Sequence, residues 1–471
     1  MCSLLAASLV GCAATPPRVP EPVARPQTGF LGEDPWRVEA PDLGAWWDGF
    51  ASPALGRLLS LADAGSLDVQ MAEQRLQEAR AGQVQAASRL WPSLGATGSL
   101  SDERTGLPDQ VKQGSPDTRS LRGAWDGVWE LDVAGGVRAS TDAAGWQALA
   151  AEEAVGVARW QLRAEVARQY LIWQGARLRL DALERLLQTR EATQRLTASR
   201  EAAGQGSRFD LSRAEGEASE LRTRLPALRA LIRVTEFRLA VLLGVPPGAL
   251  DAGLDRSTPP ALPEVQPLPV GLPVDLLRRR PDLRVAERQW QAEAARLRVA
   301  DADLWPRFFL SAVLGRQDLR LNGLDLSPSR FSSVALAFEL PVFNAGRLRA
   351  AVDAQNARQR EASLRYERSV LQALGEVESA REALHRERDR MQAIESTLRL
   401  RQTSLRQAQA LQREGQIDLL QLLDVQRAVL SAEIDAIDGQ QQLALGALDL
   451  FNALGGDRSD SAQPQAHGVQ R

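Results

Sequence analysis

Apolar residues recur every seventh position through two long stretches of the chain. Val166, Trp173, Leu180 and Leu187 form one seam, flanked by Leu162, Ala176 and Leu183, and predict a long helix over 138–203. Gly204-Gln205-Gly206 ends it, and a return helix carries Leu211, Ala218, Leu225, Ile232 and Leu239 at the same spacing. Pro226 falls inside that return helix and is expected to kink it. The second half repeats the design: Val370, Val377, Leu384, Met391, Leu398 and Leu405 mark a helix over 347–414, Gly415 turns the chain, and 419–454 returns. Sustained heptads mean helices that wrap around one another. The longest run to roughly 65–70 residues, on the order of 100 Å at about 1.5 Å per residue, more than a compact globular domain needs.

A second periodicity sits between the helices. Leu121, Gly123, Trp125, Gly127, Trp129, Leu131 and Val133 alternate with Arg122, Ala124, Asp126, Val128, Glu130 and Asp132, the period of a strand with one apolar face. Leu94, Ala96, Gly98 and Leu100 give a weaker partner strand. In the second half 308–319 and 331–340 read the same way. Helices over 54–90 and 281–304 precede the two strand pairs and stop at Pro92 and Pro306. Four strands with one apolar face each suit either an ordinary sheet core or a lipid-facing barrel. Four are too few to close a barrel, whereas three copies of the chain supply twelve.

The chain says nearly everything twice. Leu90-Trp91-Pro92 returns as Leu304-Trp305-Pro306, Trp129-Glu130-Leu131 as Phe338-Glu339-Leu340, Gly204 as Gly415 and Leu243-Gly244 as Leu454-Gly455, at offsets of 209 to 214. One supersecondary unit has been duplicated whole. The expected organisation is a signal segment over 1–12, an extended N-terminal segment over 13–51, a first repeat over 52–258, a Pro-rich crossover over 259–280, a second repeat over 281–456 and a disordered polar tail over 457–471.

Composition removes several classes of function. With 57 basic against 60 acidic residues there is no electrostatic case for nucleic acid. Two His and two Cys make a His- or Cys-rich metal site untenable, and no Gly-rich phosphate loop is present. No nucleophile or metal constellation suggests an enzyme, and no cofactor is expected. Glu130 and Glu339 could be taken for a catalytic carboxylate pair, but they are repeat-equivalent and read better as structural acids. At the N-terminus a short apolar stretch ends in Leu9-Val10-Gly11-Cys12, which resembles a bacterial lipoprotein signal with Cys12 as the acylated residue. The alternative is a chance Gly-Cys. Ala13-Ala14 lacks the Asp that often retains such proteins at the inner membrane.

The motifs together carry a family resemblance. Arg280-Pro281-Asp282-Leu283, Leu304-Trp305-Pro306, Phe338-Glu339-Leu340-Pro341-Val342-Phe343-Asn344-Ala345-Gly346-Arg347, Leu422-Leu423-Asp424-Val425-Gln426-Arg427 and Trp47-Asp48-Gly49-Phe50, in this order and with the Cys12 motif, resemble the TolC-like outer-membrane efflux family, in its NodT/OprM-type lipoprotein branch. Ala134 and Gln412 depart from it: relatives tend to carry Phe at the first and an aromatic at the second.

The resemblance implies a mixed α/β membrane protein, mainly α: a homotrimer whose twelve-stranded barrel in the outer membrane continues into a periplasmic α-helical barrel. Its implied partners are outer-membrane lipid, a periplasmic adaptor and an inner-membrane transporter of the proton-driven RND class. It implies an exit duct that catalyses nothing. It also implies that Leu420 and Asp424 form the constriction at the helix tips, Leu420 as an apolar ring and Asp424 as a ring of carboxylates, with Arg427 as a tie between helices. Asp210 lies near them as a gate candidate. The blander readings are an N-cap for Asp210 and a solvated i,i+3 pair for Asp424 and Arg427. A lipid-anchored periplasmic adaptor or scaffold is the rival function. An adaptor has one hairpin flanked by small β-domains, whereas two hairpins and no such flank are found here.

Overall fold

Two matched helices end in the same Leu-Trp-Pro turn, and each hands the chain to a strand. The computed structural model describes residues 43–456, apart from 105, 107, 109–116, 251–253, 255, 257, 269–272, 322, 323 and 327. The Cys12 motif, residues 13–42 and the tail after 456 lie outside the described residues. The order is α1 (Leu43–Phe50), α2 (Pro53–Gly65), α3 (Leu67–Ser88), β1 (Ser93–Glu103), β2 (Thr118–Leu131), α4 (Gly136–Ala202), α5 (Arg208–Leu242), α6 (Pro273–Arg279), α7 (Pro281–Ala302), β3 (Arg307–Leu321), β4 (Leu324–Asp325), β5 (Ser329–Glu339), α8 (Arg347–Arg413) and α9 (Leu419–Ala453). Strand pair, long helix and return helix therefore occur twice. The chain divides into two compact units. One holds Gln74–Glu152 and Val285–Arg368; the other holds 43–73, Glu153–Arg284 and 369–456.

The first unit contains the sheet. β1 and β2 form one antiparallel hairpin, β3 and β5 another, and β2 pairs with β3 to join them; β4 adds two residues at the end of β3. The register sorts the side chains by polarity. Ala96, Trp125 and Leu314 share one face, as do Leu310, Leu336 and Trp129, and Phe308 with Phe338. Asp126, Arg122, Ser99, Gln317 and Ser333 share the other. The apolar face is uncovered: Trp125 is 58%, Leu336 66% and Phe338 71% exposed. Among the described residues β1 and β5 each keep one edge without a partner strand. Gly315 stands at the centre, where a Cβ would lie 2.7 Å from the Gly123 carbonyl, so the close crossing of β3 over β2 needs glycine there.

Two devices join strand to helix. Trp129 Nε1 donates to the Leu90 carbonyl at 3.0 Å, tying β2 to the turn after α3. Asp132 follows β2 and accepts from the backbone N–H groups of Val137 and Arg138, both at 2.9 Å, capping α4. Burial alone would raise the Asp132 carboxyl, but those N–H bonds and the Arg138 guanidinium outweigh it and hold the carboxyl below its ordinary value.

The second unit is helical and its core follows the heptads. Val166, Trp173, Ala218, Leu239, Val377 and Leu384 are buried. Trp173 donates to Glu236 at 3.2 Å, and that buried carboxylate also takes Arg233 and Arg256. Burial of such side chains contributes about 1.5–3 kcal/mol each.

Three expectations change. The helix expected over 54–90 breaks at Ser66, because α2 ends at Gly65, where a Cβ would meet the Leu243 carbonyl at 2.3 Å. The segment expected to be extended contains α1, whose Trp46 stacks on Phe50 and Phe451. The crossover expected as a linker contains α6, with Pro273 at its start, Asp275 in its first turn and Arg278 and Arg279 in its last. Pro226 lies inside α5, where the sequence placed it.

Asp132 yields a pH prediction. Its carboxyl is depressed in the folded state, so its contribution is full above the unfolded carboxylate value of about 3.9 and is lost as pH falls through the folded one. Asp132→Asn should lower the thermal midpoint at neutral pH and flatten the acid limb of the stability curve; an acid limb identical to wild type contradicts the assignment.

Candidate functional site: the helix tips

The turns at the ends of α4 and α8 are built alike. Gly204 and Gly415 both sit at φ +72, the left-handed region that closes a helix C-terminus cheaply only for glycine. Gln205 N–H donates to the Arg200 carbonyl at 2.8 Å and Gln416 N–H to the Leu411 carbonyl at 2.9 Å, so each last turn is closed by the same bond. The return helices also begin alike. Ser207 caps α5 and Asp418 caps α9, the latter with Gln421 completing a capping box. Asp210 is thus not the cap. It is the third residue of α5, where its carboxylate accepts from the Ser207 hydroxyl at 2.9 Å while its N–H donates to the same oxygen.

One turn further in, α4, α5 and α9 meet in a charge network. The Glu217 carboxylate lies 3.0 Å from Arg190, and the two side chains are 9% and 3% exposed. Arg427 donates to the same Glu217 carboxylate, and Arg213 stands 3.9 Å from it. Arg213 also pairs with Asp424 at 2.9 Å, and Arg190 donates to the Leu423 carbonyl at 3.3 Å. Burial pulls the Arg190 guanidinium below its ordinary value, against the attraction of Glu217 and with the repulsion of Arg427. Below the network Leu183, Leu221, Leu225 and Leu430 form a packed layer.

Asp424 and Arg427 therefore come together with α5 rather than with each other, which removes the reading of a solvated i,i+3 pair. Asp210 stays hydrogen-bonded to Ser207 in the first turn of α5, outside the network. Leu420 lies in the first turn of α9, and its side chain is outside the described ones. Sequence reasoning missed Arg190, Arg213 and Glu217. The signal for two of them was the repeat itself: Arg213 and Asp424 stand 211 apart, the offset of the two tip glycines, and Glu217 and Arg427 stand 210 apart, one residue short of it. Phe209, 69% exposed beside the turn, is the repeat counterpart of Leu420 and was also missed.

The fold and its surfaces define a class: an outer-membrane protein with an uncovered apolar β-face and paired helical hairpins. The chain belongs to the outer membrane efflux protein family, whose model matches residues 58–245 and 272–456. It is 30% identical over 433 residues to Nodulation protein T of Rhizobium leguminosarum bv. trifolii, covering 90% of this chain and 89% of that protein. It is 31% identical over 457 residues to outer membrane protein OprJ of Pseudomonas aeruginosa, covering 96% and 95%. The solved structure of the outer-membrane channel OprN superposes with a TM-score of 0.80 at 30% identity, covering 93% of this chain and 99% of that one. The chain is an outer-membrane efflux channel protein.

Glu217 is the member whose loss the network tolerates least. Glu217→Gln leaves Arg190 buried beside a neutral group, a change worth about 3–5 kcal/mol for a broken buried pair. Hydrogen exchange should rise over 185–200 and 210–225, while the β-strands keep their protection.

Proposed function

We propose that three copies of this chain close into one duct through the outer membrane, the exit of a tripartite efflux pump. The observation that carries the reading is the sheet: an apolar face and two edges that nothing among the described residues covers or pairs. Backbone N–H and C=O groups in lipid must be paired, so such edges require a neighbour. Joining β5 of one copy to β1 of the next closes twelve long strands. Among the described residues no helix is long and apolar enough to cross a membrane, and the strands alone carry the membrane reading.

The helix tips form the periplasmic gate. Leu420 and Phe209 contribute apolar side chains to the constriction, Asp424 contributes a carboxylate from each copy, and Arg427 ties α9 to α5. The magnitudes separate fixed ties from releasable ones. Arg190–Glu217 is buried and stays closed. Arg213–Asp424, at 31% and 57% exposure, is worth about 0.2–1 kcal/mol, little enough for a docked partner to open. Asp210 steadies the start of α5 through its hydrogen bonds to the Ser207 cap. Contact at the tips with a periplasmic adaptor, backed by an inner-membrane transporter of the RND class, supplies that push. The two halves, 52–258 and 281–456, act as matched repeats, and acylation of Cys12 anchors each copy in the same membrane.

Arg213→Ser combined with Arg427→Ser should raise single-channel conductance in planar bilayers several-fold, and Asp424→Asn should reduce preference for cations. Variants that conduct like wild type in a protein that does conduct would refute the gate while leaving the duct intact. Cys12→Ser should abolish incorporation of labelled palmitate; retained label would place the acyl group elsewhere.

A further inference from the structure

The apolar face of the sheet does not stay apolar to its end. Towards the β1–β2 and β3–β5 loops, the strand ends remote from the helices, the register sets arginines opposite one another. Arg119 on β2 pairs with Arg320 on β3, and Arg316 on β3 pairs with Arg330 on β5. All four side chains are exposed. They share the face of Trp125, Leu314 and Leu336 and follow directly on that apolar band.

Cross-strand partners have Cα atoms about 5 Å apart, and like charges set directly opposite destabilise a sheet. Two such pairs on one face favour an anion beside them, and the Arg316–Arg330 pair does so most. The acids on this face are already engaged: Asp318 pairs with Arg316 at 3.5 Å, Asp325 accepts from Arg320 at 2.8 Å, and Asp102 takes Arg104 at 3.4 Å. Arg119 stands between Arg320 on β3 and Asp102 on β1, whereas Arg330 faces only Arg316 across the ladder and has no acidic partner among the described residues.

We propose that these arginine pairs bind phosphate-bearing lipid headgroups of the outer leaflet. The order of surfaces along the strands, apolar band and then guanidinium band, is the order of acyl chain and phosphate in a lipid. That order selects a lipid over a dissolved anion. Guanidinium suits the partner because it meets a phosphate with two parallel N–H bonds. Arg316 and Arg320 lie four residues apart on one strand, about 13 Å, so the two pairs serve two separate phosphate groups. The inference rests on the outer-membrane barrel proposed above.

The experiment follows the thermal midpoint of the purified assembled protein in neutral detergent, titrated with a phosphomonoester-bearing glycolipid, with the same lipid after phosphatase treatment, and with inorganic phosphate. The phosphorylated lipid should raise the midpoint, and the other two should not. Arg316→Gln with Arg330→Gln should weaken lipid binding by about tenfold or more, the loss of one charge-assisted pair. Arg316→Lys with Arg330→Lys should bind more tightly than the Gln pair. The proposal is overturned if the dephosphorylated lipid gives the same shift, if phosphate ion alone reproduces it, or if the Gln variant binds as wild type. The first of these outcomes would assign neutralisation of Arg330 to the neighbouring copy. Conductance in bilayers of neutral lipid reads the barrel separately. A conducting protein with no phosphate-dependent shift sinks only the lipid inference, whereas no conductance sinks the barrel with it.

Discussion

A β-strand in lipid cannot leave its backbone unpaired, and most of this protein's architecture answers to that constraint. β1 and β5 each present an edge, and the face between them carries Trp125, Leu336 and Phe338 to the outside. A water-soluble sheet would cover that face with a helix or another sheet. Here nothing among the described residues does so. The proposed three-fold closure removes both liabilities at once: each edge finds a partner and the apolar band finds lipid.

At the helix tips the governing interaction is electrostatic. Five charged side chains from α4, α5 and α9 share the tip, and burial sorts them into two groups. Arg190 and Glu217 are held out of water, where breaking one partner leaves an expensive charge behind. Arg213, Asp424 and Arg427 lie nearer solvent, where a pair costs little to part. The proposed gate uses both kinds, since one group keeps the helices in register while the other lets go.

Duplication explains why the two hairpins fit each other. Ser207 and Asp418 cap equivalent helices, and Gly204 and Gly415 close equivalent turns with the same backbone bonds. The backbone chemistry has been preserved, whereas the charges have diverged. Arg213 stands where the other repeat has Asp424. Equivalent positions that face each other about a pseudo-axis attract only when their signs differ, so divergence at this point turns a repeat into a contact.

Local spacing settled much of the molecule before any fold was considered. Heptads drew the long helices to within two or three residues, the Leu-Trp-Pro turns drew the ends of α3 and α7, and alternation at Leu121, Trp125 and Trp129 assigned the apolar face of β2. These features depend on near neighbours in the chain, which a linear pattern records. Other features depended on contacts between distant residues. The break between α2 and α3 has a local mark in Gly65-Ser66, but the demand for glycine there comes from the Leu243 carbonyl, 2.3 Å from where a Cβ would stand. Leu43, Trp46, Trp47 and Phe50 fall at helical spacing, but the ring on which α1 packs, Phe451, lies at the far end of the chain. Asp424 was legible as a tip acid, but its partner was not. An arginine 211 residues away becomes a neighbour only when two hairpins fold side by side, and the free energy of that pair belongs to the packed helices, not to either segment alone.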